Sequence, residues 1–279
     1  MSKWDDQYLN LCKRILEEGH LVENRTGTNA IKLPHQILTF DLADEFPILT
    51  TKFVAFKHAV LEMLWIYQAQ SNDVNWLNDR GIKIWNEWKI DEDGYYQGKY
   101  YGLDTAGTIG TAYGYIVKEY QLLDKLLDKL NNNPNDRRKI MSLWQDAHLD
   151  TATLPSCVWS SQWDVTDNQL NCIVNQRSCD VALGLPFNVT QYAVLQSMLA
   201  QVCKLKPGKL TWVINDAHIY INHIDGINEQ MIRSGFEAPK LWLNPDITNF
   251  YKFDNSKELN DIKLIDYKHH DKIKMKVAI

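Results

Sequence analysis

No window of the chain holds the roughly 18 apolar residues that a membrane-spanning helix needs. The first residues, Met1-Ser-Lys-Trp-Asp-Asp, are polar and pass into a helical pattern, so they do not read as a secretory signal. Cysteine is scarce and odd in number: Cys12, Cys157, Cys172, Cys179 and Cys203, with no C-x-x-C pair. Neither a disulfide framework nor a zinc cluster is therefore indicated, and no metal is expected. Free thiols point to a reducing, cytoplasmic setting. G-x-G-x-x-G and the P-loop are both missing, which leaves nucleotide binding through Gly-rich loops unsupported. Positive charge is not in excess, since the net charge is −5, and general coating of nucleic acid is disfavoured. RNA binding as a side activity is left undecided by that argument. Repeats, low-complexity tracts and Gly/Ser linkers are absent. The strongly polar stretches, 131–136 and 254–257, are short and read as surface loops.

What remains is an ordinary globular composition in one large domain, 1–279. A chain of this length buries about 75% of its unfolded surface, so its core needs no staples. Ten tryptophans and 13 tyrosines supply either a core of large rings or stacking walls for a planar ligand. Tyr8, Leu11, Cys12 and Ile15 share a helical face, as do Leu123, Leu126, Leu127 and Leu130. Further helices are predicted around Ala59–Tyr67 and Tyr192–Val202. Strands are predicted over 31–42, 158–165, 170–174, 210–214, 262–267 and 273–277, with a hairpin at Thr166-Asp-Asn-Gln169. Helices and strands mix without regular βαβ repetition, which favours α+β.

The chain has only seven arginines, yet Arg137 and Arg138 are adjacent and Arg177 precedes Ser178 in Gln176-Arg-Ser-Cys-Asp180. Guanidinium groups grip phosphate through a flat fork of donors, and a neighbouring hydroxyl adds to the grip. The bland alternative is surface solubility. Cys157 follows Pro155-Ser156 at a strand start. Surrounded by guanidinium groups it is a nucleophile; otherwise it is a buried structural thiol. Asn188, after Gly184-Leu-Pro-Phe187, offers both a donor and an acceptor to a pyrimidine edge. His218 and Tyr220 are two apart, so an extended backbone puts them on one face, suited to a sugar hydroxyl or to a polar strand end.

Taken in order, Glu23-Asn-Arg-Thr-Gly-Thr28, Leu61-Glu-Met-Leu-Trp65, Ile84-Trp-Asn-Glu-Trp88, Ala112-Tyr-Gly114, Asp136-Arg-Arg138, Pro155-Ser-Cys157, Gln176–Val181, Gly184–Asn188, Asp216–Tyr220 and Val277-Ala-Ile279 resemble the folate-dependent thymidylate synthase family across nearly the whole chain. The resemblance implies an α+β domain with a large mixed twisted sheet flanked by helices, two such sheets packing back to back in a homodimer. It implies methylation of deoxyuridylate (dUMP) at C5 by 5,10-methylenetetrahydrofolate as co-substrate, giving thymidylate and dihydrofolate. A hydroxymethylase of the same fold is the alternative. By the same resemblance Cys157 is the nucleophile toward uracil C6, Glu62 organises proton transfers, and Tyr113 helps remove the C5 proton. Asn188 pairs with the base, and Asp180 orders water near it. Arg25, Arg177 and Ser178, with Arg137 and Arg138 from the other subunit, grip phosphate, and His218 and Tyr220 meet the ribose. Trp85, Trp88, Asp180, Leu183, Gly184, Phe187 and Ala278 line the folate side, and Lys52 meets the glutamate tail. The arginines are expected to pull the Cys157 thiol down.

Three positions depart from the family pattern. Val158 stands where His is usual after the cysteine, Asn86 where an acid is common, and Lys276 where Pro precedes the terminal Val.

Overall fold

A computed structural model describes residues 2–277. In chain order its elements are α1 (Lys3–Glu18), β1 (His20–Val22), β2 (Ala30–Asp41), α2 (Phe56–Tyr67), α3 (Val74–Asn78), β3 (Tyr95–Tyr96), β4 (Lys99–Tyr100), α4 (Gly114–Glu119), α5 (Leu122–Asn132), β5 (Ile140–Ser142), β6 (Val158–Thr166), β7 (Gln169–Gln176), β8 (Cys179–Asp180), α6 (Gly184–Val202), β9 (Lys206–Tyr220), α7 (Ile224–Met231), β10 (Lys240–Leu243) and β11 (Ile262–Ile265). The main sheet is mixed, with strand order β1-β2-β9-β7-β6-β5 and β8 also paired to β9. β9 runs antiparallel to β2 and parallel to β7, so it is the seam where the sheet changes sense. The expected α+β architecture and large mixed sheet are therefore present. No helix among the described residues is long and apolar enough to cross a membrane.

The alternation along the strands decides which face is covered. Leu38, Phe40, Cys172, Val174, Leu210, Trp212 and Ile214 are buried beneath helices, whereas Ile37 on β2, Ile173 on β7 and Trp159 on the neighbouring β6 are exposed. α6 is apolar nearly all round, as a central helix must be, with Val189, Ala193, Leu195, Met198 and Leu199 wholly buried. Removing a side chain such as Leu195 costs about 2–5 kcal/mol through lost burial and a cavity. α2 lies beside α6, and the Tyr67 and Tyr192 hydroxyls meet across that contact at 2.5 Å. α1 is capped by Ser2, whose Oγ accepts from the Asp5 amide at 3.1 Å. Asp5 is itself wholly buried, and both carboxylate oxygens accept from the backbone and hydroxyls of Thr50 and Thr51. That tie pins the segment leading to Lys52.

The predicted hairpin forms. Asp167 and Asn168 take positive φ of 50° and 61°, the conformation a two-residue turn requires to match the strand twist. Two predicted elements are longer than expected. The 210–214 strand extends through Pro207 to Tyr220. α6 begins at Gly184 because Pro186 falls in its first turn, where no intrahelical N–H is needed. One prediction fails: 273–277 alternates like a strand but joins no ladder. Its backbone is held instead by the His223 ring, whose Nε2 meets the Lys276 carbonyl at 2.6 Å.

Candidate active site

Cys157 sits just before β6 and lines a cavity of ≈ 370 Å³ that also touches Arg25, Lys32, Arg177, Ser178, Asp216, His218 and Tyr220. The turn from β7 to β8 brings Arg177 there. Its backbone N–H donates to the Cys157 carbonyl at 2.9 Å, and its guanidinium donates to the carbonyls of Pro155 (2.7 Å) and Ser156 (3.1 Å). The Nη2 that meets Pro155 also lies 3.9 Å from Cys157 Sγ. The expected depression of the thiol is not what results in the free chain. Burial pushes the Cys157 pKa up, and the nearby Arg177 and Arg25 oppose that rise without overcoming it.

Further polar groups of the cavity come from β9 and β2. His218 and Asp216 lie on β9, and His218 Nδ1 is 2.8 Å from an Asp216 oxygen whose partner oxygen is 2.6 Å from Lys32 Nζ. His218 and Tyr220 do share one face, with ring centroids 5.0 Å apart. Arg137 and Arg138 are exposed and are not among the cavity-lining residues. Arg138 is held outward by Asp136, with Nε to Oδ1 at 3.0 Å.

Behind Cys157 lies a buried polar chain. Glu62, on the middle of α2, accepts from Trp85 Nε1 and Gln191 Nε2, each at 2.5 Å. Burial raises its carboxyl to about 7 against those two donors. Asn188 Nδ2 donates to Gln191 Oε1 at 3.1 Å, and Gln176 Nε2 donates to Asn188 Oδ1 at 3.2 Å. Tyr113 reaches the same place from the start of α4, where its hydroxyl accepts from the Cys157 N–H at 3.2 Å. Its backbone is strained, with φ of 48° and ψ of −107°. The following Gly114 is obligatory, since a Cβ there would lie 2.0 Å from the Ser71 carbonyl oxygen.

An aromatic wall flanks this chain: Trp85 packs on Trp65, Trp88 and Tyr113 at centroid distances of 5.7, 5.5 and 5.1 Å. Leu183, Gly184 and Phe187, at the start of α6, are partly exposed beside Asn188. Gly184 has ordinary φ, and a Cβ there would come no closer than 3.7 Å to Asn188 Oδ1, so the fold does not itself demand glycine. Asp180 Oδ1 accepts from the amides of Ala182 and Leu183, and lies 3.7 Å from His223 Nδ1. Lys52 departs from expectation. Rather than reaching toward an opening it is buried, with Nζ bonded to the Ala182 carbonyl at 2.5 Å, and burial lowers its pKa to about 8. Ala278 lies outside the described residues.

Sequence reasoning missed Gln191, Lys32 and Asp216 as parts of the site. Asn188 and Gln191 are three apart on one helix face, so a helix assignment over 184–202 would have paired them. The Gln191–Glu62 contact joins two helices and has no local signature.

Comparison with known proteins accords with this geometry. The thymidylate synthase family model matches residues 6–279. Thymidylate synthase of Clostridium beijerinckii is 53% identical over the full length of both chains, and that of Bacillus licheniformis 42% identical, again over both in full. The solved structure of thermostable thymidylate synthase A from Bacillus subtilis superposes with a TM-score of 0.88 at 41% identity, covering 99% of each chain.

Proposed function

Because this chain belongs to the thymidylate synthase family, we propose that it converts deoxyuridylate to thymidylate with its cavity residues in the following roles. The co-substrate methylenetetrahydrofolate supplies one carbon and a hydride and leaves as dihydrofolate. Arg25, Arg177 and Ser178 take the phosphate, and His218, oriented by Asp216, takes the ribose together with Tyr220. Uracil C5 is too weak a nucleophile unaided. Addition of the Cys157 thiolate across C5–C6 makes C5 enolate-like, splitting one hard step into easier ones. Charge then develops toward O4, where Asn188 Nδ2 donates, and a fixed donor is worth most at that moment. Glu62, with a carboxyl near neutrality, exchanges protons with the base through water, and Tyr113 assists at C5. Trp85, Trp88, Leu183 and Phe187 form the wall for a flat pterin, and the uncrowded Gly184 permits its close approach.

The second copy of the chain completes the activation of Cys157. In the free chain burial outweighs the two guanidinium groups. Arg137 and Arg138, donated by a second copy of the chain, complete the phosphate grip and shift that balance. The exposed apolar residues Ile37, Ile173 and Trp159 on one sheet face support a back-to-back homodimer. Five free thiols support a reducing, cytoplasmic setting.

The observation that carries the assignment is the approach of Arg177 to Cys157 Sγ inside the cavity lined by Arg25, Ser178, His218 and Tyr220. Incubation with deoxyuridylate and methylenetetrahydrofolate is expected to release thymidylate and dihydrofolate in equal amounts. A 5-hydroxymethyl product without dihydrofolate would overturn it.

A further inference from the structure

Four hydrogen bonds run in one direction through the site. Trp212 Nε1 donates to Gln176 Oε1 (2.8 Å), Gln176 Nε2 to Asn188 Oδ1 (3.2 Å), Asn188 Nδ2 to Gln191 Oε1 (3.1 Å), and Gln191 Nε2 to Glu62 Oε2 (2.5 Å). The three amides in the middle are individually reversible, because each end of an amide is nearly the other's shape. The two ends of the chain are not. An indole N–H only donates, and the Glu62 carboxyl only accepts once it is ionised, above about pH 7. The ends therefore set the polarity of everything between them. The two glutamines are shielded from bulk water, Gln176 being 3% and Gln191 5% exposed, while Asn188 is partly exposed.

The consequence falls on Asn188. Each of its amide atoms retains capacity after these bonds: one hydrogen on Nδ2 and one lone pair on Oδ1. That remaining pair matches uracil, whose O4 accepts and N3–H donates. Cytosine presents the opposite pair and needs Asn188 reversed. Reversal sets Asn188 Oδ1 against Gln191 Oε1 and Asn188 Nδ2 against Gln176 Nε2, and reversing Gln191 as well sets its oxygen against the ionised Glu62. We propose that Gln191 is a specificity-determining positioning residue, which fixes the orientation of the Asn188 amide by linking it to Glu62 and so makes the site read uracil rather than cytosine. The inference rests on the reading of Asn188 as the base contact.

The test measures dissociation constants for deoxyuridylate and deoxycytidylate, and their ratio, at pH 8, where Glu62 is ionised, in the full-length protein and in three variants. Gln191→Met keeps the volume and removes the acceptor that Asn188 needs; the preference for deoxyuridylate is expected to fall at least tenfold. Gln191→Glu keeps that acceptor and loses only the donor to Glu62, so the preference is expected to stay within threefold while the pH profile of turnover shifts upward, two carboxyls now sharing a proton. Asn188→Asp is the control and is expected to lower the preference. An unchanged ratio in Gln191→Met with a lowered one in Asn188→Asp overturns the proposal and leaves the Asn188 reading intact. Equal loss in the Met and Glu variants also overturns it, since packing alone then explains both. No change in any of the three overturns the Asn188 reading itself. Neutron diffraction of the unaltered protein reads the polarity without a variant: deuterium on Asn188 facing Gln191 supports the proposal, and deuterium on Gln191 facing Asn188 refutes it.

Discussion

Glu62 carries a consequence for stability that is separable from catalysis. The residue is 7% exposed, and burial lifts its carboxyl from 4.5 to about 7. A group whose folded value is raised holds its proton in the native state over a range where the unfolded chain has released it. Stability then falls as pH rises through that window. At about 1.4 kcal/mol per tenfold in proton affinity, the rise corresponds to about 3 kcal/mol. That penalty is absent below pH 4.5, grows between about 4.5 and 7, and is complete above 7. Glu62→Gln cannot ionise. It also changes the bonds to Trp85 and Gln191, but that cost is independent of pH and cancels from the slope. Urea unfolding of both proteins at matched concentration, from pH 4.5 to 8, is the assay; equal concentration matters because dissociation of a dimer enters the measured stability. The unaltered protein is expected to lose about 3 kcal/mol relative to Glu62→Gln across that range, most of it between pH 5 and 7. A difference that stays flat with pH refutes the raised carboxyl and, with it, a neutral-pH proton carrier at this position.

Cys157→Ser is expected to lower turnover by at least a thousandfold while deoxyuridylate still binds within tenfold, because the phosphate grip belongs to the arginines; equilibrium binding beside steady-state rates checks this. A Cys157→Ala protein mixed with an Arg138→Ala protein, each poor alone, is expected to regain up to a quarter of normal activity once subunits exchange. In the mixed dimer one site carries both lesions and the other neither; no recovery in demonstrated heterodimers removes the shared site. Deleting 277–279 is expected to spare nucleotide binding and nearly abolish thymidylate formation, since a tail that shuts out water protects the reactive intermediate. Limited proteolysis checks the same idea, with the tail cleaved in the free protein and protected only when nucleotide and folate are both bound.

β2 was legible because its segment is rich in β-branched and apolar residues, and β6 and β7 because they flank a turn sequence. The Asp167-Asn168 turn was legible because its backbone needs residues that tolerate positive φ. The gathering of Cys157, Arg177, His218 and Tyr220 was legible only through motifs in register, since the cavity draws on segments from 22 to 220. What escaped depends on burial or on distant partners. The direction of the Cys157 shift turns on desolvation, which no local pattern reports. Lys52 faces inward because Asp5, 47 positions earlier in the chain, ties down the preceding Thr50 and Thr51. Segment 273–277 alternates yet finds no sheet edge, and His223 holds its backbone instead. Val158, where the family pattern has His, is buried at the start of β6 with 5% exposure. A neutral side chain there leaves Glu62, Tyr113 and the amide chain as the polar groups behind the nucleophile.

Covalent attack by Cys157 on the pyrimidine is the step on which everything else depends. 5-Fluorodeoxyuridylate has no removable proton at C5, so a complex formed with it and methylenetetrahydrofolate stalls after carbon transfer. Intact mass under denaturing conditions, followed by peptide mapping, is expected to show one nucleotide and one folate joined to the peptide containing Cys157, and no adduct in Cys157→Ala. An adduct on Cys12, Cys172, Cys179 or Cys203, or none at all in a preparation that makes thymidylate, would contradict the account.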